Sequence, residues 1–215
     1  ESGNIVQSKG VPEPTLRRLP AYLFLLKQLR NQGVMNISAP KIGKRLKYDS
    51  TQVVKDLAYT NVSGKPRVGY NIFEVIQALE EFLGFNRPND AFLIGTGKLG
   101  TALMAYQGVR DLGVKVIAGF DTDPLKVGKQ IENVFVLSMD KIEDMVARLH
   151  ISIAILCVPE DHAQRVCDQL VHCGIKAIWN LTPVYLDAPE NVIIQNTSMY
   201  SNVAVMLNKL KESNN

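Results

Sequence analysis

Three glycines after an apolar run carry the strongest chemical signal in the sequence. The segment Ala91–Gly100 reads AFLIGTGKLG, so the run leads directly into the pattern GxGxxG. The first glycine of this pattern permits a tight turn, the second lets the backbone approach a pyrophosphate, and the third lets the next helix pack on the strand. That helix then presents free N–H groups to the phosphates. We predict that a dinucleotide contacts Gly95, Thr96, Gly97, Lys98, Leu99 and Gly100.

An acidic residue stands where such sites bind the adenosine ribose. Asp121 ends a second apolar run, Lys115–Phe120, and lies 21 residues after Gly100. A carboxylate there accepts hydrogen bonds from both ribose hydroxyls and repels a 2′-phosphate, which favours NADH and NAD⁺ over their phosphorylated forms. The alternative is that Asp121 only caps the turn before Pro124. Because strand, glycines, helix and acid are in register, we predict cofactor contacts at Asp121, Thr122 and Asp123.

Two later apolar runs are expected to end beside the same site. They are Ile151–Val158 and Ala177–Leu181, and ligands of Rossmann sheets lie at the carboxyl ends of the strands. The predicted cofactor contacts from these runs are Cys157, Val158, Pro159, Asn180 and Pro183. Asn180 could instead only hold its loop, and Cys157 is interpreted as a small buried residue without chemistry.

Catalysis is not expected from these residues. His162 is the only acid or base candidate near a strand end, and the segment is about the size of one Rossmann unit, which leaves little chain for a substrate site. A nucleotide fold without catalytic groups indicates a sensor when it is joined to a DNA-binding fold, which the N-terminal residues predict.

The N-terminal third of the chain is basic. Between Lys9 and Tyr70 there are twelve Lys or Arg and three acidic residues, whereas Asn86–Asn215 contains twelve basic and fourteen acidic residues. Because Lys and Arg that neutralise phosphates release counterions, this asymmetry suits a polyanionic partner. A solvated basic face without a partner would give the same pattern.

Short helical patterns position those charges. Apolar residues at three- and four-residue steps predict a first helix over Pro20–Gln32. Ser38–Leu46 is predicted as a second helix with Ser38 as its N-cap, and Asp49 with Gln52 predicts a capping box that starts a third. Two short helices joined by a tight turn make a helix-turn-helix, and the glycine-bounded segment Gly64–Tyr70 is predicted to form a β-wing beside it.

In a helix-turn-helix, the start of the second helix meets base edges in the major groove. Gln52 lies there, and glutamine reads adenine with two hydrogen bonds. The predicted DNA contacts are Arg18, Ser38, Lys41, Lys44, Arg45, Ser50, Thr51, Gln52, Lys55, Lys65, Arg67 and Tyr70.

The predicted architecture is an α/β chain with a polar joint at Asn86–Asp90. Beyond the joint, short apolar runs alternate with helical patterns, which predicts a Rossmann-type parallel sheet. We predict a winged helix-turn-helix, DNA-binding domain over residues 1–85 and an NAD(H)-binding domain over residues 86–198. Residues 199–215 contain a last helix, Tyr200–Lys211, and a tail.

Several classes are disfavoured by composition. No apolar run approaches the roughly 20 residues that span a bilayer, and no secretory signal is visible. The cysteines are odd in number and form no CxxC, and neither they nor the histidines show metal-binding spacing; they are Cys157, Cys167, Cys173, His150, His162 and His172. We expect a cytoplasmic protein that binds no membrane and no metal.

The chain resembles the Rex family of bacterial redox-sensing repressors from about Val11 to Leu210. The matching stretches are Val11-Pro12 with Arg18-Leu19, Gln52-Val53 with Lys55–Leu57, Arg67–Tyr70, Gly95–Gly100, Phe120–Pro124 with Lys126–Gly128, Val158-Pro159, and Asn180 with Pro183-Val184. The resemblance implies a homodimer in which the last helix is swapped between the subunits. It also implies that the dimer binds double-stranded, palindromic operator DNA when NADH is scarce and is released by NADH.

Two positions depart from the family pattern. Val54 stands where the resemblance leads us to expect an arginine, which alters the expected DNA contacts. Ser198 stands where the family carries an acid that pairs with the arginine matching Arg18, so the coupling between domains is expected to differ.

Two other interpretations remain open. One is a small NAD-dependent oxidoreductase whose basic front only mediates dimerisation. The other is a regulator that senses a CoA-type ligand, against which Asp121 argues.

Overall fold

The computed structural model describes residues 10–111 and 113–213, with only the backbone of Gln107. The chain divides into two compact units between Asn86 and Arg87. Within the described ranges, none of the helices has the length and apolar character needed to cross a membrane.

The first unit consists of helices and one small antiparallel sheet. Its elements are α1 (Glu13–Asn31), β1 (Asn36–Ile37), α2 (Ala39–Leu46), α3 (Ser50–Ala58), β2 (Tyr70–Asn71) and α4 (Ile72–Leu83). Its core contains the apolar stripe of α1, in which Leu19, Tyr22 and Leu26 are fully buried.

The first helix begins seven residues before the predicted start at Pro20. Pro12 is its N-cap and Pro14 lies in its first turn, where a proline is well tolerated because those N–H groups have no intrahelical acceptor. Pro20 therefore lies in the helix interior. The predicted start was wrong because the earlier Pro-Glu-Pro segment was not recognised as the beginning of the helix.

The third helix begins as predicted, but its capping box is only half formed. The side chain of Asp49 accepts hydrogen bonds from the N–H groups of Thr51 and Gln52, at 2.8 and 3.4 Å. The side chain of Gln52 donates instead to Asp56, at 2.8 Å. An ionised carboxylate one turn further along is a strong acceptor, which explains why Gln52 points away from the cap. Ser38 precedes α2 as predicted, but its side chain makes no capping hydrogen bond with the described residues.

A tight hairpin follows α3. Lys65 and Gly69 exchange two backbone hydrogen bonds of 2.8 Å, which closes a three-residue loop around Arg67. We call the Lys65–Gly69 hairpin the wing. The chain then continues into β2, which pairs with β1 in antiparallel register.

The second unit is a sheet covered by helices. Its elements are β3 (Asn89–Ile94), α5 (Lys98–Ala105), α6 (Gln107–Asp111), β4 (Val114–Asp121), β5 (Gln130–Ile131), β6 (Val134–Ser138), a 3-10 helix (Met139–Lys141), α7 (Ile142–Leu149), β7 (Ile153–Leu156), α8 (Glu160–His172), β8 (Ala177–Asn180), β9 (Ile193–Asn196) and α9 (Met199–Ser213).

The strand order confirms the predicted Rossmann-type sheet. Across the sheet it is β5-β6-β4-β3-β7-β8-β9, with β5 antiparallel to β6 and the other described pairs parallel. Without β5, this is the order 3-2-1-4-5-6 of dinucleotide-binding folds. The last four residues of the central strand β3, Ala91–Ile94, are buried. The ring centroids of Phe92 and Phe120 lie 4.9 Å apart in this core.

Some boundaries of the second unit differ from the predictions. β3 begins at Asn89, so the polar joint is shorter than predicted because its last two residues already pair with β4. The sequence interpretation also missed β5, β6 and β9. Strand β5 is only two residues long and β9 is largely exposed, so neither of these two strands shows the buried apolar run by which strands are predicted.

The last helix, α9, leaves an apolar stripe uncovered. Each of its fifteen residues is exposed. Val203, Met206, Leu207 and Leu210 are exposed by 47 to 59 % and recur at three- and four-residue steps, so they share one face. Exchange of this helix between subunits stays a prediction.

Candidate functional site

A cavity of about 540 Å³ opens at the carboxyl ends of the central strands. The chain order reverses between β3 and β7, and ligands of open α/β sheets bind at this switch point. The cavity is lined by Ile94, Gly95, Gly97, Lys98, Leu99, Phe120, Asp121, Thr122, Asp123, Lys126, Met139, Cys157, Val158, Pro159, His162, Arg165 and Val166.

The glycines of the loop between β3 and α5 are required for different reasons. Gly95 has a positive φ of 92°, and an added Cβ would lie 2.6 Å from the carbonyl oxygen of Cys157. A Cβ on Gly100 would collide with the carbonyl group of Gly95. A Cβ on Gly97 would meet no described atom within 4 Å, although Gly97 lines the cavity. Steric contacts within the protein therefore require glycine at positions 95 and 100, whereas Gly97 leaves space for a ligand.

The N-terminus of α5 gives this end of the cavity a positive character. The helix starts at Lys98, directly after Gly97. N–H groups in a first helical turn have no intrahelical acceptor, and the helix dipole places partial positive charge there. The side chains of Lys98 and Arg165 also line the cavity. Together these groups suit a pyrophosphate.

Asp121, the last residue of β4, forms hydrogen bonds with the glycine loop between β3 and α5. Its Oδ2 accepts hydrogen bonds from the N–H and hydroxyl of Thr96, at 2.9 and 2.7 Å, and from Lys126, at 3.1 Å. Its Oδ1 accepts the N–H of Asp123 at 3.0 Å. Burial opposes ionisation, but these hydrogen bonds outweigh it and lower the pKa of Asp121 to about 2. The carboxylate is therefore ionised at neutral pH, and Oδ1, which accepts one described hydrogen bond, keeps further acceptor capacity.

Asp123 offers a second, more open carboxylate on the same wall. Its side chain is 39 % exposed and accepts the N–H of Leu125 at 2.9 Å. Lys126 lies 3.9 Å from Asp123 and also bonds Asp121, so one cation serves both acids. The pair keeps a net negative charge beside the cavity.

The remaining predicted cofactor residues fall into two groups. Thr122, Cys157, Val158 and Pro159 line the cavity. Residues outside the lining are Thr96, Gly100, Asn180 and Pro183.

Asn180 holds a loop. Its Nδ2 donates to the carbonyl of Val184 at 2.7 Å and to Asn196 at 2.8 Å. Its Oδ1 accepts the N–H and hydroxyl of Thr182. The geometry favours the loop-holding alternative over a cofactor contact.

Cys157 lines the cavity without being reactive. Burial raises the pKa of its thiol to about 12, so the thiol stays protonated at neutral pH. Within residues 10–111 and 113–213, no cluster of three histidines, cysteines or acids could hold a metal ion.

The sequence interpretation missed part of the cavity wall. The missed lining residues are Ile94, Phe120, Lys126, Met139, Arg165 and Val166, with His162 considered only as a catalyst. Ile94 and Phe120 end strands, so the rule that ligands lie at strand ends could have identified them. Arg165 and Val166 depend on the rotation of α8, which no local pattern reveals.

The first unit carries a cationic surface. Its exposed predicted DNA contacts are Lys41, Lys44, Arg45, Thr51, Lys55, Lys65 and Arg67, and Ser38 and Ser50 are half-buried. These residues lie on α2, α3, the wing and the segment before α2. Exposed cations on these elements suit a phosphate backbone.

Three predicted DNA contacts lie elsewhere. The side chain of Tyr70 is buried beside Gly64, because pairing of β2 with β1 turns the ring inward, and burial raises its pKa. Gln52 and Arg18 both donate to Asp56. These side chains are therefore occupied within the unit rather than presented on the cationic surface.

Asp56 is a buried clamp between α1 and α3. Its fully buried carboxylate accepts two hydrogen bonds from Arg18, at 2.6 and 2.8 Å, and one from Tyr22 at 2.7 Å. Gln52 and Thr15 complete the shell at 2.8 and 3.1 Å. Burial resists ionisation, but these donors, Arg18 foremost, lower the pKa of Asp56 to about 2. Sequence reasoning missed this role because the donors come from two separate helices.

Two family models match the chain. One, described as CoA binding domain, matches residues 86–184, and the other, described as Putative DNA-binding protein N-terminus, matches residues 10–58.

Similar curated proteins carry the name redox-sensing transcriptional repressor Rex. The protein from Bacteroides thetaiotaomicron is 42% identical over 93% of this chain and 91% of its own length. The protein from Treponema denticola is 42% identical over 96% of this chain and 100% of its own length.

Solved structures of RSP, a Rex-family repressor, share the fold. The complex with β-NAD⁺ and operator DNA has a TM-score of 0.89 at 33% identity, covering 95% of this chain and 94% of that one. The complex with β-NADH has a TM-score of 0.86 at 34% identity, covering 95% and 96%.

Proposed function

Because the chain belongs to the Rex family of redox-sensing transcriptional repressors, we propose that it binds operator DNA and leaves it when its second unit binds NADH. One observation carries this proposal. A cavity at the Rossmann switch point and an exposed cationic helix-turn-helix with a wing occur in the same chain. A nucleotide site joined to a DNA-binding unit is what a sensor of the NADH/NAD⁺ ratio requires.

The cavity is assigned to NADH and NAD⁺, since RSP has been solved with each. We assign the pyrophosphate to the loop around Gly97 and the N-terminus of α5, which offer space and N–H donors. The adenosine ribose is assigned to Asp121 and Asp123, whose carboxyl oxygens line the cavity wall and can accept hydrogen bonds from hydroxyl groups. The net negative charge of these acids disfavours a 2′-phosphate.

DNA contacts are assigned to α2, α3 and the wing. Helix α3 would enter the major groove, as in other helix-turn-helix proteins, and Lys65 and Arg67 of the wing would meet phosphates beside it. The exposed cations of α2 would bind the backbone. Asp56 would act indirectly, by holding α3 at a fixed angle to α1.

We propose that the bound nucleotide regulates DNA binding and is not the substrate of a reaction. The thiol of Cys157 stays protonated, and the matched relatives, aligned over nearly their whole length, are repressors. We therefore expect no consumption of NADH when the protein is incubated with a panel of aldehydes and ketones. The proposed location is the bacterial cytoplasm, which contains both the operator DNA and the NADH pool.

A homodimer completes the proposal. The apolar stripe of α9 is uncovered in a single chain, and a second copy of the chain would bury it, as the swapped helix of the family implies. Ser198 accepts hydrogen bonds from Ser201 in the first turn of α9, at 3.1 and 3.2 Å, and Arg18 is held by Asp56. Neither side chain therefore offers the ion pair that the family pattern leads us to expect between positions 18 and 198.

The test is DNA binding measured by fluorescence anisotropy with NAD⁺, NADH or CoA. The probe is a duplex with two symmetric half-sites, selected by the protein from a randomised library in the presence of NAD⁺. Saturating NADH should weaken binding about 5- to 150-fold, the usual range of coupling between two sites. Gly97→Val fills the open side of the loop, so this variant should bind DNA and ignore NADH.

Equal DNA affinity with NAD⁺ and NADH would refute the sensing role. Release by CoA but not by NADH would favour a CoA-type effector, which the match to the CoA binding domain model makes worth testing.

A further inference from the structure

The solvent-facing side of α3 is rich in methyl groups. Thr51, Val54, Lys55 and Ala58 are exposed and follow the three- and four-residue spacing of one helix face. Val54 lies in the middle of this face and is 46 % exposed. Three of these four side chains therefore present a methyl carbon to solvent, on the helix that the proposed function places in the major groove.

The same face borders an apolar groove. A cavity of about 400 Å³ lies between α3 and the wing, and its walls include Val54, Ala58, Val62, Pro66 and Tyr70. Val54 thus forms the edge where this groove meets the outer face of α3.

Exposed cations accompany this apolar strip on α3, on the wing and on α2. They are Lys44 on α2, Lys55 on α3, and Lys65 and Arg67 on the wing. The phosphate groups that flank the grooves of a duplex would pair with these cations, whereas an apolar protein surface would leave them without a partner. The occupant that matches both the cations and the methyl groups is therefore duplex DNA read in its major groove.

The residue expected to read bases by hydrogen bonds is occupied elsewhere. The amide nitrogen of Gln52 donates to Asp56 at 2.8 Å, and Gln52 is half-buried. Base selection through an adenine–glutamine pair would break this bond. The exposed centre of the face is left to the branched apolar side chain of Val54.

We propose that Val54 selects thymine in each operator half-site by packing on the 5-methyl group that thymine presents in the major groove. This inference rests on the proposed function, because it requires α3 to lie in that groove. Apolar side chains recognise thymine in this way, whereas an arginine at the same position would pair with guanine O6 and N7. The residue at position 54 thus determines which base the half-site carries there.

The experiment removes only the methyl group. Duplexes selected with NAD⁺ present are amplified once with dTTP and once with dUTP, because uracil lacks the 5-methyl group and keeps the same pairing and phosphates. For the unmodified protein, each methyl lost from contact should weaken binding about fourfold, the value of one buried methylene. A dimer on two half-sites should therefore lose on the order of tenfold.

Two variants assign the effect to Val54. Val54→Ala removes both γ-methyl groups and should therefore reduce the preference for thymine over uracil duplexes, and Val54→Arg should select guanine when the library selection is repeated. Leu149→Ala is the matched control: it shortens an aliphatic side chain that is 47 % exposed on the second unit, and it should keep the full thymine preference. Uracil placed at one position at a time then locates the contacted base.

The outcomes separate this inference from the proposed function. Equal binding of thymine and uracil duplexes by the unmodified protein overturns the reading by Val54 and leaves repression intact. A thymine preference that is unchanged in Val54→Ala overturns the assignment to this residue. Failure to bind any selected duplex overturns the proposed function, and the inference with it.

Discussion

Replacing Asp56 by asparagine tests how firmly α3 is held against α1. Asparagine keeps one acceptor oxygen and turns the other into an NH₂ donor, which would face donors of Arg18 and Tyr22. The pKa of Asp56 is about 2 instead of the ordinary 3.8. That difference corresponds to about 2 to 3 kcal/mol favouring the ionised form in the folded protein, because a tenfold change in an equilibrium constant is about 1.4 kcal/mol. Asp56→Asn should therefore lower the free energy of unfolding of the first unit by about 2 to 3 kcal/mol at pH 7.

The pH dependence of this loss follows from the direction of the shift. The folded protein holds the pKa of Asp56 below its unfolded value, so the stabilisation is complete above about pH 4 and is lost as pH falls through about 2. The difference in free energy of unfolding between the two proteins should shrink over that window, because protonation makes the side chain of Asp56 neutral, as asparagine already is.

Urea unfolding of the full chain measures both effects. Trp179 lies on β8 and is the single tryptophan, so its fluorescence follows the second unit, while far-ultraviolet circular dichroism follows both. Asp56→Asn should move the dichroism transition and leave the fluorescence transition in place. The control is Glu13→Gln, which removes the exposed ion pair with Arg17 and should cost less than about 1 kcal/mol. A loss below about 0.5 kcal/mol for Asp56→Asn, or the same pH dependence in both proteins, would refute the clamp.

Three other outcomes are expected. Lys65→Ala combined with Arg67→Ala should weaken DNA binding for every sequence and reduce the slope of log affinity against log salt by about 2 per subunit in fluorescence anisotropy; an unchanged slope would contradict phosphate contacts by the wing. Asp121→Asn should lower NADH affinity in calorimetry, whereas the unmodified protein should show no titration of Asp121 between pH 5 and 8, since its pKa is about 2. Cys157 should resist iodoacetamide at pH 8 in the folded protein and react in urea, because burial holds its pKa at about 12; mass spectrometry distinguishes the two results.

The nucleotide loop could be predicted from the sequence because its requirements are local. The backbone of Gly95 needs a positive φ, and Gly100 must lie against the carbonyl of Gly95. Both requirements are met within one strand, one turn and one helix, so residue spacing is enough to reveal them. The second strand and Asp121 follow at a fixed distance along the chain for the same reason.

The groups that depend on how elements pack could not be predicted in this way. The donors to Asp56 come from α1 and α3, and the sequence does not show how one helix is rotated against the other. Tyr70 shows the same limit. The segment Gly64–Tyr70 has a composition typical of a surface wing, but pairing of β2 with β1 turns the ring of Tyr70 inward. Arg165 enters the cavity wall only because α8 packs with that face toward the strand ends.

The central claim is that this chain converts the NADH/NAD⁺ ratio into DNA occupancy. The most direct measurement holds the total nucleotide concentration constant and saturating, varies the ratio, and follows anisotropy of the selected duplex. DNA occupancy should fall along one curve as the ratio rises, and the midpoint should stay at the same ratio when the total nucleotide concentration is doubled. Occupancy that depends on total nucleotide but not on the ratio, or that does not change at all, would contradict the claim.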